Sequence, residues 1–326
     1  MAHFERLRIA LTVVCAWLVC AFVAKASLAQ HTLEWRFEKG QQRESEITRS
    51  ISQNANGELL TSVATLYVSS TIDDVAADGS AIVTKSVSRA TMTVTLPSDV
   101  KVEYDSAATE PPKGTTAMFA NVLTPLIGQT WQMNVSPQGV VTNVKHLNAP
   151  SAASKPGLFS PMFKTKQFEQ LVTKSPFEFP QEPVNDGDSW TASGKAVMSG
   201  VPVSATTVYT YRGMKEENDK RYDQFDVQTT MSLETPTKDA STENSITPKL
   251  TLAEQSSTGE LLFDAAGSVV VRSKVEQHLM LTISLGEQTV TQTLTLTTSL
   301  KTSIVEPTAP AEEQAAASVS ATLPTQ

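Results

Sequence analysis

Runs in which every second residue is apolar dominate this chain, and they restrict it to strands with one buried face. Leu33, Trp35 and Phe37 alternate with Glu34, Arg36 and Glu38. Leu60, Ala64, Leu66 and Val68 alternate with Thr61, Thr65 and Tyr67, and Met92, Val94 and Leu96 with Thr91, Thr93 and Thr95. Leu279, Leu281, Ile283 and Leu285 precede a break at Gly286, after which Val290, Leu294, Leu296 and Leu300 follow. Successive side chains of a strand point to opposite faces, so a period of two marks a half-buried strand. Threonine is the usual outward partner, because its β-branch suits a pleated surface and its hydroxyl suits water. Between the runs lie Asn56-Gly57 and Asp78-Gly79, dipeptides that supply positive φ in tight hairpins. Gln138-Gly139 and Ala266-Gly267 are weaker versions of the same signal. Strands at hairpin spacing predict a mainly β chain built on a large curved antiparallel sheet or half-barrel.

Two stretches read as short helices. Met118, Phe119, Val122, Leu123 and Leu126 fall on one helical face, as do Phe168, Leu171 and Val172 after Pro161. The reading divides the chain into a first β-rich half over residues 30–149, a proline-rich connector with a short helix over 150–183, and a second β-rich half over 184–306. The halves share Gly-x-x-Trp, at Gly128-Gln129-Thr130-Trp131 and at Gly187-Asp188-Ser189-Trp190. They also share a hairpin-tip pattern, at residues 135–141 and 263–269, which predicts two related units. Residues 307–326 are rich in Ala, Thr, Glu and Pro and carry too few large apolar side chains to pay the entropy of ordering, so a disordered tail is expected.

The first 29 residues have the layout of a secretory signal peptide. Arg6 and Arg8 precede the apolar run from Ile9 to Ala24, and Ser27-Leu28-Ala29 places small residues for cleavage after Ala29. At about 16 residues the run is shorter than the ~20 that span a bilayer. Retention of the segment as an anchor is the competing outcome; with cleavage, no integral membrane segment remains. Both cysteines, Cys15 and Cys20, lie inside it, so the following 297 residues would enter an oxidising space without disulfides. The expected location is therefore the periplasm, cell envelope or exterior. With 26 Lys and Arg against 34 Asp and Glu, and no basic run, the chain is a poor nucleic-acid binder.

Catalytic signals are sparse. His31, His146 and His278 are far apart and show no metal-ligand spacing. Asp73, Asp74 and Asp78 form one acidic loop and Asp186-Gly187-Asp188 another; neither completes a calcium-binding pattern, and both read as solvated hairpin turns. Gly187-Asp188-Ser189 superficially resembles the nucleophile block of a secreted esterase family. The preceding residues 179–185 are proline-broken rather than a strand, and the family's other blocks are missing. The structural reading gives Gly187 a tight turn, lets Asp188 and Ser189 bond local backbone, and starts a strand at Trp190. No catalytic, cofactor or metal residue is expected.

Three blocks carry a family resemblance: Leu33-x-Trp35-x-Phe37-x-x-Gly40, then Phe179-Pro180-x-x-Pro183-Val184-x-x-Gly187-Asp188-Ser189-Trp190, then Gly259-x-x-x-Phe263-Asp264-x-x-Gly267. Together they resemble a family of uncharacterised secreted bacterial proteins, of planctomycete type, known only as a domain of unknown function. The resemblance implies an exported β-rich domain and transfers no catalytic residue. The architecture is also similar to lipoprotein-carrier half-barrels, in which short helices plug a curved sheet. That similarity implies an apolar cavity between sheet and helices, with Trp35, Phe37, Phe119, Trp131, Phe168 and Trp190 as candidate lining. The expected function is a non-enzymatic envelope protein that binds lipid or another apolar ligand. The alternatives are a structural or protein-interaction module without a ligand, with an envelope protein as partner, and, less favoured, a secreted hydrolase using Ser189.

Overall fold

The computed structural model describes residues 30–148, 165–198, 201–233, 249–285 and 287–305. The expected signal peptide, its cleavage point and the expected tail lie outside the described residues, as does most of the proline-rich stretch before residue 165.

The alternating runs form strands β1 (Gln42–Ala55), β2 (Glu58–Val75), β3 (Ala81–Thr95), β4 (Lys101–Asp105), β5 (Thr130–Val135) and β6 (Val141–His146). They continue as β7 (Ser189–Met198), β8 (Val201–Glu217), β9 (Lys220–Leu233), β10 (Lys249–Asp264), β11 (Val269–Leu285) and β12 (Gln288–Val305). Helix α1 (Thr115–Leu123) lies between β4 and β5, and α2 (Thr165–Thr173) between β6 and β7. All the strands join one antiparallel sheet in the order β6-β5-β3-β2-β1-β12-β11-β10-β9-β8-β7, with β4 paired to β3 off that path. The two halves are thus wings of a single sheet, joined where β1 pairs with β12 from Gln42↔Val305 to Ala55↔Gln292. The sheet stays open, with β6 and β7 as its edges.

Turn chemistry sets the register. Asn56 and Gly57 both take positive φ, 54° and 86°, and close the two-residue loop between Ala55 and Glu58. Asn218 and Asp219 do the same between β8 and β9, a turn absent from the sequence reading. Register shifts break the ladders at Tyr67/Val68, Ile72/Asp74, Tyr211/Met214 and Leu262/Phe263. Such bulges bend strands and sharpen their twist, which is how a sheet of long strands curls around one face. Asp73 and Asp74, read from sequence as part of an acidic loop, are the last residues of β2 before Val75.

On β1 the odd-numbered residues face inward and the even-numbered residues outward. Ile47 sits opposite Leu66 and Leu300, and Ile51 opposite Ser62 and Leu296. The inner face carries three apolar clusters. One buries Leu66, Met92, Phe119, Leu123, Met133 and Phe168 under α1 and α2 on the first wing. α1 ends at Leu123, and Leu126 reaches the same cluster from a separate 3-10 turn, because Pro125 cannot donate to a continuing α-helix. The second cluster is aromatic and gathers Trp35, Phe177, Phe179, Tyr211, Phe225 and Phe263 where β1 begins and β12 ends. The third, Val203, Leu279, Leu281, Leu294 and Leu296, lies toward the opposite strand ends.

The aromatic end is closed by chain segments rather than strands. His31 bridges Val184, the Trp35 N–H donates to Pro137 O at 2.7 Å, and the Phe179 N–H donates to Gln138 O at 2.8 Å. The Arg36 N–H reaches the Ser268 hydroxyl of the β10–β11 turn. Residues 31–41, the β5–β6 turn, residues 175–184 and the β10–β11 turn therefore form one cap.

The two Gly-x-x-Trp blocks make the same backbone pattern on opposite wings. The Gly128 N–H donates to Val87 O and the Val87 N–H to Gln129 O, at 2.8 and 3.2 Å. The Gly187 N–H donates to Tyr211 O and the Tyr211 N–H to Asp188 O, at 2.8 and 2.9 Å. Both glycines have positive φ, and each accepting strand is bulged at that point. The second shared pattern is not equivalent in this way: Gly139 takes positive φ in its hairpin tip, whereas Ser268 rather than Gly267 does so in the other.

Candidate functional site

A cavity of about 340 Å³ lies between the inner face of the sheet and α2. Its floor comes from β1, β2, β3, β11 and β12, its roof from Gln170, Leu171 and Val172, and one side from Trp35 and residues 174–176. A volume of that size is typical of small-molecule pockets. A second cavity of about 230 Å³ shares Pro176, Ser273, Val275 and Thr298 with the first and extends the hollow toward β8 and β9.

Strand pairing lines up the residues that distinguish the floor. Arg43 on β1 is opposite Ser70 on β2, and Ser70 is opposite Lys85 on β3, so the three form a row across the inner face. With strands about 4.8 Å apart, the Arg43 and Lys85 backbones are roughly 10 Å apart. Arg43 is only 8% exposed. Its Nε and Nη2 donate to Gln41 Oε1, and its guanidinium lies 5.9 Å from the Trp35 and Phe37 ring centres. Lys85 Nζ donates to Val172 O at 2.9 Å. That carbonyl belongs to the last turn of α2, where carbonyls lack helical partners and the helix dipole is negative. Burial lowers Arg43 to about 10, and burial together with the Arg43 charge lowers Lys85 to about 8. Arg49, three rows inward on the same face, is lowered by burial as well. No carboxylate among the described residues forms an ion pair with Arg43, Arg49 or Lys85.

Of the aromatic residues singled out in the sequence, Trp35 lines the cavity and Phe37 stacks on it at 6.1 Å. Phe119, Trp131 and Phe168 pack into the first-wing cluster instead. Trp190 leans on the aromatic cluster, and its Nε1 donates to Glu178 O. Threonine, expected outward, also faces inward at Thr298 and Thr302, where it lines the cavity. Sequence reasoning missed Arg43 and Lys85. The available signal was the inner-face series Arg43, Ser45, Ile47, Arg49 and Ile51, which places cations where β1 should be apolar.

The hydrolase residues take structural positions. Ser189 opens β7, with its hydroxyl 2.8 Å from that of Thr210, and Asp188 accepts from the backbone and side chain of Asn185. His146 stacks on Trp131, and exposed His278 contacts Glu276 and Thr295. Among the described residues no cluster of His, Cys, Asp or Glu suits a metal ion, and no helix is long and apolar enough to cross a membrane.

One further acid stands apart. Asp223 is 3% exposed and accepts from the Tyr211 hydroxyl at 2.8 Å. Burial pushes its carboxyl above the usual range, although the Tyr211 bond and His31 oppose the shift. Because the folded pKa is raised, Asp223 costs stability in full above that pKa, and the cost shrinks as pH falls below it and is gone beneath the unfolded carboxyl's pKa. Asp223→Asn keeps an acceptor for Tyr211 without the charge and is expected to raise stability at pH 7, with little change at pH 3. Tyr211→Phe leaves the carboxylate unpartnered and should cost about 1.5–3 kcal/mol. Urea unfolding at both pH values checks the pair.

Comparison with known proteins places the chain in a family. The family described as "Family of unknown function (DUF6263)" matches residues 78–267, more than half of the sequence. The protein belongs to the DUF6263 family. The match includes the Trp190 and Gly267 blocks that carried the sequence resemblance, while the Trp35 block precedes it. No curated protein matches the DUF6263 chain in sequence. Among solved structures it is similar to lipovitellin, in a study of lipid–protein interactions, with 11% identity, 84% of this chain covered and a TM-score of 0.47. It spans only 26% of that lipovitellin chain. A DUF1329 family protein from Desulfovibrio piger is 10% identical over 79% of this chain and 85% of its own, with a TM-score of 0.15. OpdO of Pseudomonas aeruginosa is 5% identical over 82% and 98%, with a TM-score of 0.21. All three scores fall below 0.5, and none assigns a ligand to the DUF6263 chain.

Proposed function

We propose that this protein is an exported, non-catalytic envelope protein that holds a lipid or similar apolar ligand between the inner face of its sheet and α2. The observation that carries the reading is the roofed cavity, floored by Ile47, Val68, Val270, Val275 and Leu300. The adjoining cavity lengthens the hollow, and the third apolar cluster continues the inner face beyond it. Burying one methylene is worth about 0.8 kcal/mol, so twelve gain roughly 10 kcal/mol before costs. Association costs roughly 4–15 kcal/mol, which leaves a chain of that length a weak to micromolar ligand on apolar contact alone. Export rests on the expected signal peptide, and the non-catalytic role on the structural use of Ser189 and the histidines.

Native mass spectrometry of protein purified from its own envelope tests the reading, alongside uptake of a fluorescent lipid probe. Co-purifying lipid masses and saturable uptake are expected. Recovery of ligand-free protein only, with no uptake, overturns the reading and favours an interaction module. Leu171 on the roof provides a directed check. Leu171→Asp is expected to lower probe affinity at least tenfold while the far-ultraviolet circular dichroism stays that of the parent.

A further inference from the structure

The floor of the cavity holds charge that no carboxylate among the described residues balances. Arg43 and Lys85 line the same hollow, in one cross-strand row with Ser70 between them. Buried cations are normally paired, because an unpaired charge in apolar surroundings costs far more than a paired one. Among the described residues, Arg43 nevertheless has only the neutral Gln41 oxygen as a hydrogen-bond acceptor, and Lys85 only a helix-end carbonyl. A guanidinium has five N–H donors and an ammonium three, so both keep donors in reserve. The aspartates at the end of β2 and of β4 are occupied elsewhere: Asp73 accepts from Thr84 and Gln132, Asp74 pairs with Lys39, and Asp105 pairs with Arg89. Hydroxyls complete the surroundings, since Ser45, Ser70 and Thr302 line the same cavity.

We propose that the cavity takes a single-chain amphiphile with an anionic carboxylate or phosphate head, seated between Arg43 and Lys85, its tail running along the inner face toward Ile51, Leu279 and Leu296. This assignment rests on the lipid-binding reading above and specifies the ligand class for that site. The guanidinium fork matches both carboxylate and phosphate oxygens, and Lys85 supplies a second point charge across the row. Gln41 acts as a positioning residue that holds the Arg43 fork from one side.

The lining gives the direction of the tail, which passes the row of Arg49 on the side of its ladder partners Thr298 and Val275. Beyond Arg43, toward the start of β1, stand the stacked Trp35 and Phe37 rings and the rest of the aromatic cap. In the other direction, Arg43 to Ile51 is eight residues along β1, or roughly 27 Å. The ladder partners of Ile51 and its neighbours there belong to the third apolar cluster. A bilayer's hydrocarbon core is about 30 Å thick, so one acyl chain occupies about 15 Å. The distance holds one tail.

The test compares three twelve-carbon probes, each below its micelle concentration: dodecanoate, dodecyl phosphate and dodecanol, titrated into the full delipidated protein. The expected result is that the better of the two anions binds at least tenfold more tightly than the alcohol. Which anion is preferred distinguishes a free acyl carboxylate from a phosphate head. Arg43→Met and Lys85→Met are each expected to reduce the anion-to-alcohol ratio below threefold, and Lys39→Met, which removes an exposed cation outside the cavity, to leave it intact. Equal affinity for all three probes, or an unchanged ratio in both cavity variants, overturns the head-group assignment and leaves lipid binding standing. Failure of all three to bind overturns both. If Arg43→Met does not fold, Lys85→Met alone still decides the outcome.

Discussion

Replacing Gly139 by alanine is expected to destabilise the protein by about 3–5 kcal/mol, because the substitution combines backbone strain with overpacking. Gly139 has φ +86°, and a Cβ built there would lie 2.4 Å from Phe177 O and 2.6 Å from Trp35 Nε1. The first neighbour is backbone and the second belongs to a large buried ring, so neither yields cheaply. The hydrogen bonds from the Trp35 N–H to Pro137 O and from the Phe179 N–H to Gln138 O flank the same turn. Any shift that relieves the clash pulls on both. Gly57 is the control. Its φ is also +86°, but nothing lies within 4 Å of the added carbon, so Gly57→Ala should cost only the left-handed penalty of about 1–2 kcal/mol. Urea midpoints of the two variants, measured together, separate the crowding from the conformation. Equal losses would show that the cap does not crowd Gly139.

The second large effect is expected at Phe177. It is 1% exposed and sits at the centre of the aromatic cluster, 4.7 Å from the ring centres of Phe179, Tyr209 and Phe225. Trp190 closes a further side at 5.9 Å. Phe177→Ala removes a buried ring and leaves a cavity among rigid neighbours, for a loss of about 3–5 kcal/mol. Thermal unfolding measures the loss, and near-ultraviolet circular dichroism reports the loosened aromatic packing. Phe177→Leu, which refills much of the space, should recover more than half. A loss below 1 kcal/mol for the alanine variant would mean that the cap is not part of the cooperative fold.

How far the sequence foretold this arrangement depends on the range of the interactions involved. Leu60 to Val68, Met92 and Val94, Leu279 to Ile283, and Leu294 to Leu300 alternate within a few residues, and the structure turns those series toward one face. Asn56-Gly57 states its own turn. The pairing of β1 with β12 has no such local signature, because β1 reads Gln-Arg-Glu-Ser-Glu-Ile and looks polar on both faces. The candidate site is less legible still. It joins residues from the start of β1, the start of β3, the last turn of α2 and the start of β11, and no local spacing encodes that meeting. Aromatic residues were natural candidates for a cavity wall, yet Phe119, Trp131 and Phe168 fill the first-wing core, because a large ring gains most where it is fully covered. Beside Trp35 the wall fell to Val, Leu, Ser and Thr, with three cations, Arg43, Lys85 and Lys174, that composition alone cannot distinguish from surface charge.

The seam between β1 and β12 also sets an order of events during synthesis. At about 5–20 residues per second, roughly 10–50 s separate the emergence of β1 from that of its partner. Through that interval one long edge of β1 offers unpaired N–H and C=O groups, the usual template for pairing with a neighbouring chain. β1 carries Arg43, Glu44, Glu46 and Arg49 within seven residues. Charges so placed discourage stacking of identical edges, as gatekeeper residues do beside other exposed strands. Arg43, which lines the finished hollow, is thus also one of the charges that disfavour a foreign partner on this edge until the chain supplies its own.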